Sequence, residues 1–210
     1  MTPVAVADTP VAAVCAAIAA EKSAVVPDFL PTPVIAALAI AARRRDAAGE
    51  FRAACIGRGR DRMERSEIRG DRTLWLDEQM PAAPERPLWQ ALEQLRSALN
   101  ETTFLGLFAF EGHYSLYAPG AFYCRHRDRF RDDDARLVSC VLYLNHAWTA
   151  ADGGLLRIYR PGGAVRDVLP VGGTLVCFLA DQYEHEVLPA TRERLAIAGW
   201  FRRRDAGRGC

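Results

Sequence analysis

The sequence predicts an α+β domain that is mainly β, a jelly roll or related double-sheet barrel with helices ahead of it. Three observations carry this. Helical signals fall within the first hundred of the 210 residues. From Phe104 onward, short apolar runs alternate with Pro, Gly, Asp and Asn turns. Eight such runs follow, at 113–118, 121–128, 137–145, 154–160, 164–169, 173–180, 184–188 and 194–201; short strands at this spacing build sandwiches and barrels. Helices first and strands after argue against an alternating α/β chain. The length suits one domain over 1–210, with helical support, flanking strands and a mobile loop in 1–100 and the β core in 101–204.

Each element has a local cause. Thr9-Pro10 reads as an N-cap with Pro at N1, opening a helix to about Ala20. Ser23 to Leu30 reads as a short strand and turn. Thr32-Pro33 repeats the cap signal, and Val34 to Arg45 has helical apolar spacing that Gly49 ends. Phe51 to Ile56 begins a strand. The polar, Arg-rich 57–67 (GRGRDRMERSE) has only Met63 as an apolar anchor, so it is expected to be a mobile loop able to gate a site. Ile68 to Leu76 turns back into a strand, 81–87 reads as a linker, and Leu88, Leu92, Leu95 and Leu99 form a helical stripe to Asn100. Arg202-Arg203-Arg204 reads as a solvated terminus.

The bulk composition excludes several classes. Half of the residues are apolar, 25% are charged and the net charge is +1. That leaves no electrostatic footprint for nucleic acid or membrane. The six cysteines contain no C-x-x-C pair and no disulfide ladder, which points to the reducing cytoplasm. The apolar stretch from Val4 to Ala20 is interrupted by Asp8 and Pro10 and lacks a basic leader, so an amphipathic surface helix is expected, not a signal or a span.

Chemistry concentrates in the second half. His126 and Asp128 are two residues apart, so on a strand they face one side. His185 lies 59 residues later, after the apolar run 173–179. Two imidazoles and a carboxylate make the facial triad of non-haem Fe(II) oxygenases, which leaves three metal positions for a cosubstrate and O2. Alone, His126 and Asp128 would equally suit a surface ion pair in an Arg-rich turn. Arg194 changes the balance. By alternation it shares a face with Ala196, Ala198 and Trp200, where a charge is costly unless paired. A ligand carboxylate would pair it through a two-pronged hydrogen bond. Iron ligands with a carboxylate clamp suggest a 2-oxoglutarate-using dioxygenase.

Ordered motifs extend the argument. Ile68-Arg69-Gly70-Asp71 with Trp75, then Tyr117-x-Pro-Gly-x-x-x-Tyr123-x-x-His126-x-Asp128, follow one another. Tyr143-Leu144-Asn145, Gly153-Gly154-Leu155-Leu156-Arg157-Ile158, His185-Glu186-Val187-x-Pro189 and Arg194-x-Ala196-Ile197-x-x-Trp200 complete the series. Over roughly 56–201 the chain resembles the prolyl hydroxylases related to the oxygen-sensing enzymes that modify hypoxia-inducible factor, and their bacterial relatives. The resemblance implies a double-stranded β-helix (jelly-roll, cupin-like) core. It implies Fe(II) on His126, Asp128 and His185, and the distal carboxylate of 2-oxoglutarate on Arg194 and Tyr143. Tyr123 would lie near the cosubstrate, and Trp200 would support the site without touching the metal. Ala198 and Leu195 depart from the family pattern, in which a polar Thr and an aromatic stand at these positions. Asp128 argues against the family's halogenase variant.

The implied reaction consumes 2-oxoglutarate and O2, with ascorbate as a candidate reductant, and yields succinate, CO2 and a hydroxylated carbon. A cytosolic protein presenting a proline is the expected partner, with elongation factor Tu as the single best guess. The same chemistry on a free amino acid or small metabolite, a non-catalytic 2-oxoglutarate or oxygen sensor, and a metal-dependent hydrolase are the alternatives; the last leaves Arg194 unexplained. His113 and His146 read as structural or exposed, Asp132-Asp133-Asp134 as a solvated turn, and Cys124 as a minor candidate for a fourth, zinc-type ligand. Asp71 and Arg136 are a candidate ion pair bracing the loop. Glu184 and Glu186 are candidates to orient His185.

Overall fold

A computed structural model describes residues 9–56, 63–65, 67–128, 135–160 and 162–204. Helix α1 spans Pro10–Glu21, with Thr9 Oγ1 accepting from the Ala12 amide at 3.2 Å. It ends where Lys22 turns left-handed at φ 60°. Helix α2 spans Thr32–Ala47, and here the cap expectation is corrected: Thr32 is the first helical residue. The amides of Val34 and Ile35 donate to the Pro31 carbonyl instead of a side chain. Helix α3, Arg86–Thr103, buries Leu88, Leu92, Leu95 and Leu99 as the stripe predicted.

The expected 81–87 linker is also corrected. Ala83–Glu85 forms a 3-10 turn that runs into α3. The cause is the buried Glu85 carboxylate, which accepts from the Ala82 amide at 3.0 Å, the Tyr114 hydroxyl at 3.1 Å and Arg45 Nη1 at 3.3 Å. A buried carboxylate with three donors is held firmly, and the chain around it is ordered with it.

The strands are β1 Ser23–Val26, β2 Arg52–Ala53, β3 Cys55–Ile56, β4 Met63–Glu64, β5 Asp71–Trp75, β6 Leu107–Tyr117, β7 Tyr123–His126, β8 Arg136–Tyr143, β9 Leu156–Tyr159, β10 Val165–Val168, β11 Leu175–Leu179, β12 Glu184–Val187 and β13 Arg194–Arg203. Seven form an antiparallel sheet in the order β1-β11-β8-β13-β6-β5-β2, and four form a second, β10-β9-β12-β7. Together they make a double-stranded β-helix. β6 starts six residues before the expected 113, because Glu111 and Gly112 interrupt the apolar run that marks it in sequence. Of the expected 57–67 loop, Met63–Glu64 pairs with Cys55–Ile56 as β4 on β3. The rest of that loop, apart from Arg65 and Glu67, lies outside the described residues, as do Asp132-Asp133-Asp134.

Two cores result. The helices cover one face of the large sheet, packing Val14, Ile18, Leu38, Leu95 and Leu99 against Leu142, Ile197 and Phe201. A second core lies between the sheets and includes Tyr117, Tyr143, Leu156, Ile158, Phe178 and Val187. Period-2 alternation therefore splits each central strand between a helix-facing and a cavity-facing side. The chain crosses from one sheet to the other at 68–71. Arg69 bridges to Tyr123, the Gly70 amide donates to Phe122 O at 2.9 Å, and Asp71 then pairs with Tyr117 on β6.

Candidate metal and cosubstrate site

The cavity between the sheets, about 480 Å³, is lined by His126, Asp128, His185, Tyr123, Arg194 and Trp200 among others. His126 and His185 stand directly opposite on β7 and β12, with ring centroids 4.2 Å apart. Asp128 follows β7. His126 Nδ1 lies 2.8 Å from Cys124 O, which assigns its proton to Nδ1 and leaves Nε2 bare. His126 Nε2 is 3.5 Å from Asp128 Oδ1, and His185 Nε2 is 3.6 Å from Asp128 Oδ2. Ligand atoms of all three lie within 4.8 Å of one another.

Electrostatics prepare these groups as donors. Burial alone would raise Asp128; His185, His126 and the Ser139 hydroxyl outweigh it and hold the carboxyl well below the usual range. Ser139 Oγ donates to Asp128 Oδ2 at 2.7 Å. Burial pushes His185 down to about 4 against the pull of Asp128, so at neutral pH its ring is uncharged. Two imidazoles whose Nε2 atoms converge on a carboxylate held well below its usual range fit a divalent transition metal with open positions.

Arg194 is buried at the first residue of β13. Its Nε donates to Gly154 O at 2.8 Å, while Nη2 is buried with no hydrogen-bond partner. The Tyr143 hydroxyl is likewise buried and unpartnered, and the Arg194 guanidinium carbon is 5.1 Å from the Tyr143 ring centroid. Burial pushes Tyr143 up to about 12, with the Arg194 charge opposing, so the hydroxyl keeps its proton and donates. Two orphaned donors beside a cationic centre cost several kcal/mol if left so. A carboxylate satisfies both. The site needs a glycine at 154: φ is +67°, and a Cβ there would lie 2.9 Å from Ala190 Cβ and 3.1 Å from Arg194 Cδ.

Tyr123 stacks on His126, with centroids 3.6 Å apart, and lies under Arg69 at 4.8 Å. Trp200 lies under Arg136 at 3.5 Å and beside His113 at 5.8 Å, and it lines the same cavity. Its indole Nε1 is buried and unpartnered. Ala196 and Ala198 line the floor between Arg194 and Trp200, and their small side chains leave the space.

Three expectations are corrected. Asp71 pairs with Arg69, not Arg136, through bonds of 2.6 and 3.0 Å; Arg136 pairs with Glu111 at 2.7 Å. Glu184 and Glu186 flank His185 but point to the opposite face, as alternation requires. Glu184 accepts from Arg125, and Glu186 accepts from the Tyr159 hydroxyl at 2.7 Å. Cys124 directs Sγ toward Glu67 O at 3.7 Å and stays outside the ligand group. His113 is buried and His146 exposed. The residue that sequence reasoning missed is Ser139. Its signal was a hydroxyl in the apolar run of β8, on the face shared by Val141 and Tyr143.

Comparison with known proteins gives the same reading. The family model of the 2OG-Fe(II) oxygenase superfamily matches residues 112–202. Egl nine homolog 1 of Homo sapiens is 33% identical over 144 residues, covering 64% of this chain and 33% of that protein. The chain spans only about a third of the length of that relative. The crystal structure of a Pseudomonas putida prolyl-4-hydroxylase is 49% identical, covers 92% of this chain and 99% of that one, and superposes with a TM-score of 0.83. A prolyl hydroxylase from Trichoplax adhaerens, solved with a hypoxia-inducible factor peptide fragment, shares the fold at 23% identity and a TM-score of 0.82, over 91% of this chain and 88% of that one. Among the described residues no helix is long and apolar enough to cross a membrane. With a relative 49% identical aligned over 92% of this chain and 99% of its own, and the His-Asp-His group set inside the shared fold, the chain belongs to the 2OG-Fe(II) oxygenase superfamily.

Proposed function

We propose that this chain is a 2-oxoglutarate- and Fe(II)-dependent dioxygenase that hydroxylates a prolyl residue of a protein, with succinate and CO2 as coproducts. One observation carries the reading: the two Nε2 atoms aimed at Asp128 share a cavity with Arg194, whose buried Nη2 has no hydrogen-bond partner and whose guanidinium carbon lies 5.1 Å from the ring centroid of Tyr143, itself with a buried, unpartnered hydroxyl. His126, Asp128 and His185 would hold the iron, which when bound supplies the oxygen chemistry that no protein side chain has. Arg194 and Tyr143 would take the distal carboxylate of 2-oxoglutarate and so set which way its keto acid end points. Ser139 keeps Asp128 ionised and oriented, and the Cys124 carbonyl keeps the His126 ring in the ligating tautomer. Tyr123, Val187 and Leu156 wall the cavity and exclude water.

The polypeptide substrate is supported by Trp75, which lines the cavity while half exposed at 46% and so offers an aromatic surface at its mouth. It is also supported by the prolyl-4-hydroxylase at 49% identity. Elongation factor Tu is the first protein to try, and ascorbate the first reductant. The test is mass spectrometry of host proteins incubated with the enzyme, Fe(II) and 2-oxoglutarate. The gain of one oxygen on a proline, absent without 2-oxoglutarate, is expected. Oxygen gained only by free amino acids or metabolites would replace the protein substrate. 2-Oxoglutarate binding with no oxygenated product in any fraction would leave a sensor.

A further inference from the structure

Resting on the prolyl-hydroxylase reading, we propose that Arg127 selects substrate polypeptides carrying an Asp or Glu close to the target proline. Arg127 stands between two of the triad residues and lines the cavity, and its side chain is 48% exposed. Its nearest described carboxylate is Glu184, at 3.9 Å. That carboxylate is already held by Arg125, through Nε at 2.8 Å and Nη2 at 2.5 Å. Glu184 is therefore neutralised by another arginine, and Arg127 gains little from it.

The other arginines of the lining differ in kind. Arg69 is matched by Asp71, and Arg136, largely buried over the Trp200 ring, donates to Glu111 at 2.7 Å, a carboxylate it shares with Arg202. Arg194 faces the cosubstrate pocket. With the site filled, the iron dication and Arg194 together would balance the 2-oxoglutarate dianion and Asp128. What remains among the described lining residues is the Arg127 guanidinium at the rim, with water on one side and the cavity on the other. A peptide laid across the mouth with its proline inward brings neighbouring side chains past this point. A carboxylate there meets a five-donor fork in a partly desolvated setting; a lysine or arginine is repelled. Recognition is then a difference between substrates, made by one attractive and one repulsive pairing.

The experiment uses single-proline peptides in which glutamate, glutamine or lysine is placed in turn at each of the three positions on either side of the proline. Two readouts are taken: the kcat/KM of hydroxylation, and binding to the metal- and 2-oxoglutarate-loaded protein under nitrogen, where no turnover occurs. The wild type should favour glutamate over glutamine about fivefold at one or more positions, the upper range for a partly exposed ion pair, and the preference should shrink in high salt. Arg127→Lys should keep it, Arg127→Gln should bring the ratio to about one, and Arg127→Glu should turn it toward lysine. Because each ratio is read within one variant, a general loss of activity does not disturb it. Hydroxylation with no glutamate preference at any position, or a preference that survives Arg127→Gln, overturns the inference and leaves prolyl hydroxylation standing. A glutamate preference in binding without hydroxylation supports Arg127 and removes the prolyl reading. No binding of any peptide overturns both.

Discussion

Arg69 donates to both carboxylate oxygens of Asp71, two residues ahead, from Nε at 2.6 Å and Nη2 at 3.0 Å. The pair closes the corner at which the chain leaves the small sheet, where Arg69 bridges Tyr123, and joins the large one, where Asp71 faces Tyr117. Both side chains are largely buried. Burial alone would lower Arg69, but Asp71 outweighs it and raises the guanidinium above its usual value. The fork also sits over Tyr123, which stacks on His126, so the corner is mechanically continuous with the His-Asp-His group.

Removing one member strands a buried charge. Asp71→Asn should cost about 3–5 kcal/mol, the usual penalty for breaking a buried pair, read from urea denaturation. Replacing both, as Arg69→Met with Asp71→Leu, should cost clearly less than the sum of the single changes. Additive losses would show that the two side chains act separately.

Ligand removal should separate from ligand support. His185→Ala should abolish 2-oxoglutarate turnover and greatly weaken anaerobic Fe(II) binding. Ser139→Ala removes only the 2.7 Å bond to Asp128, so Fe(II) affinity should fall about 10–100-fold, the usual range for an outer partner of a metal ligand. Unchanged turnover in His185→Ala would exclude the proposed triad.

The cosubstrate clamp makes a graded prediction. Arg194→Ala should raise the KM for 2-oxoglutarate by about two to three orders of magnitude, the equivalent of about 3–4 kcal/mol, with Fe(II) binding kept. Tyr143→Phe removes one hydrogen bond and should raise it about tenfold. An unaltered KM in Arg194→Ala would move the carboxylate elsewhere in the cavity.

Stability should depend on pH through two histidines. Burial lowers His113, with Arg69 adding to it, and also lowers His185, both to about 4 from 6.5. A histidine lowered by folding binds fewer protons folded than unfolded, so its contribution is present above pH 6.5 and is lost as pH falls toward 4. Each shift corresponds to about 3 kcal/mol at its limit. Urea unfolding of metal-free protein should show this fall, and His113→Gln should flatten it. Asp128 acts in a more acidic window, since its lowered carboxyl loses its contribution only as pH drops below the usual carboxylate range. A curve for His113→Gln parallel to the wild type between pH 7 and 4 would contradict the His113 assignment.

Gly112 and Gly199 face each other on β6 and β13. A Cβ at Gly112 would meet Phe110 Cε1 at 2.7 Å, and one at Gly199 would overlap the same ring and the Glu111 carbonyl. Gly199→Ala should therefore destabilise by about 1–3 kcal/mol through overpacking, measured as a lower urea midpoint with an unchanged slope. No change in midpoint would mean that the sheet opens freely at this crossing.

The sequence alone determined what depends on short periods. The Leu88, Leu92, Leu95 and Leu99 stripe specifies α3, and the two-residue step from His126 to Asp128 marks the first half of the His-Asp-His group. Arg194 was legible because alternation put a charge among small apolar neighbours on one face of β13. Tertiary structure decided what depends on which strands become neighbours. That His185 stands opposite His126, that Ser139 reaches Asp128, and that Asp71 takes Arg69 while Arg136 takes Glu111 follow from sheet order and register. Glu184 and Glu186 show the limit from the other side: adjacency in sequence suggested support for His185, but a pleated strand turns adjacent side chains to opposite faces, and their partners came from β7 and β9. Periodicity fixes the face a side chain occupies; only pairing across strands, set by the whole fold, fixes what it meets there.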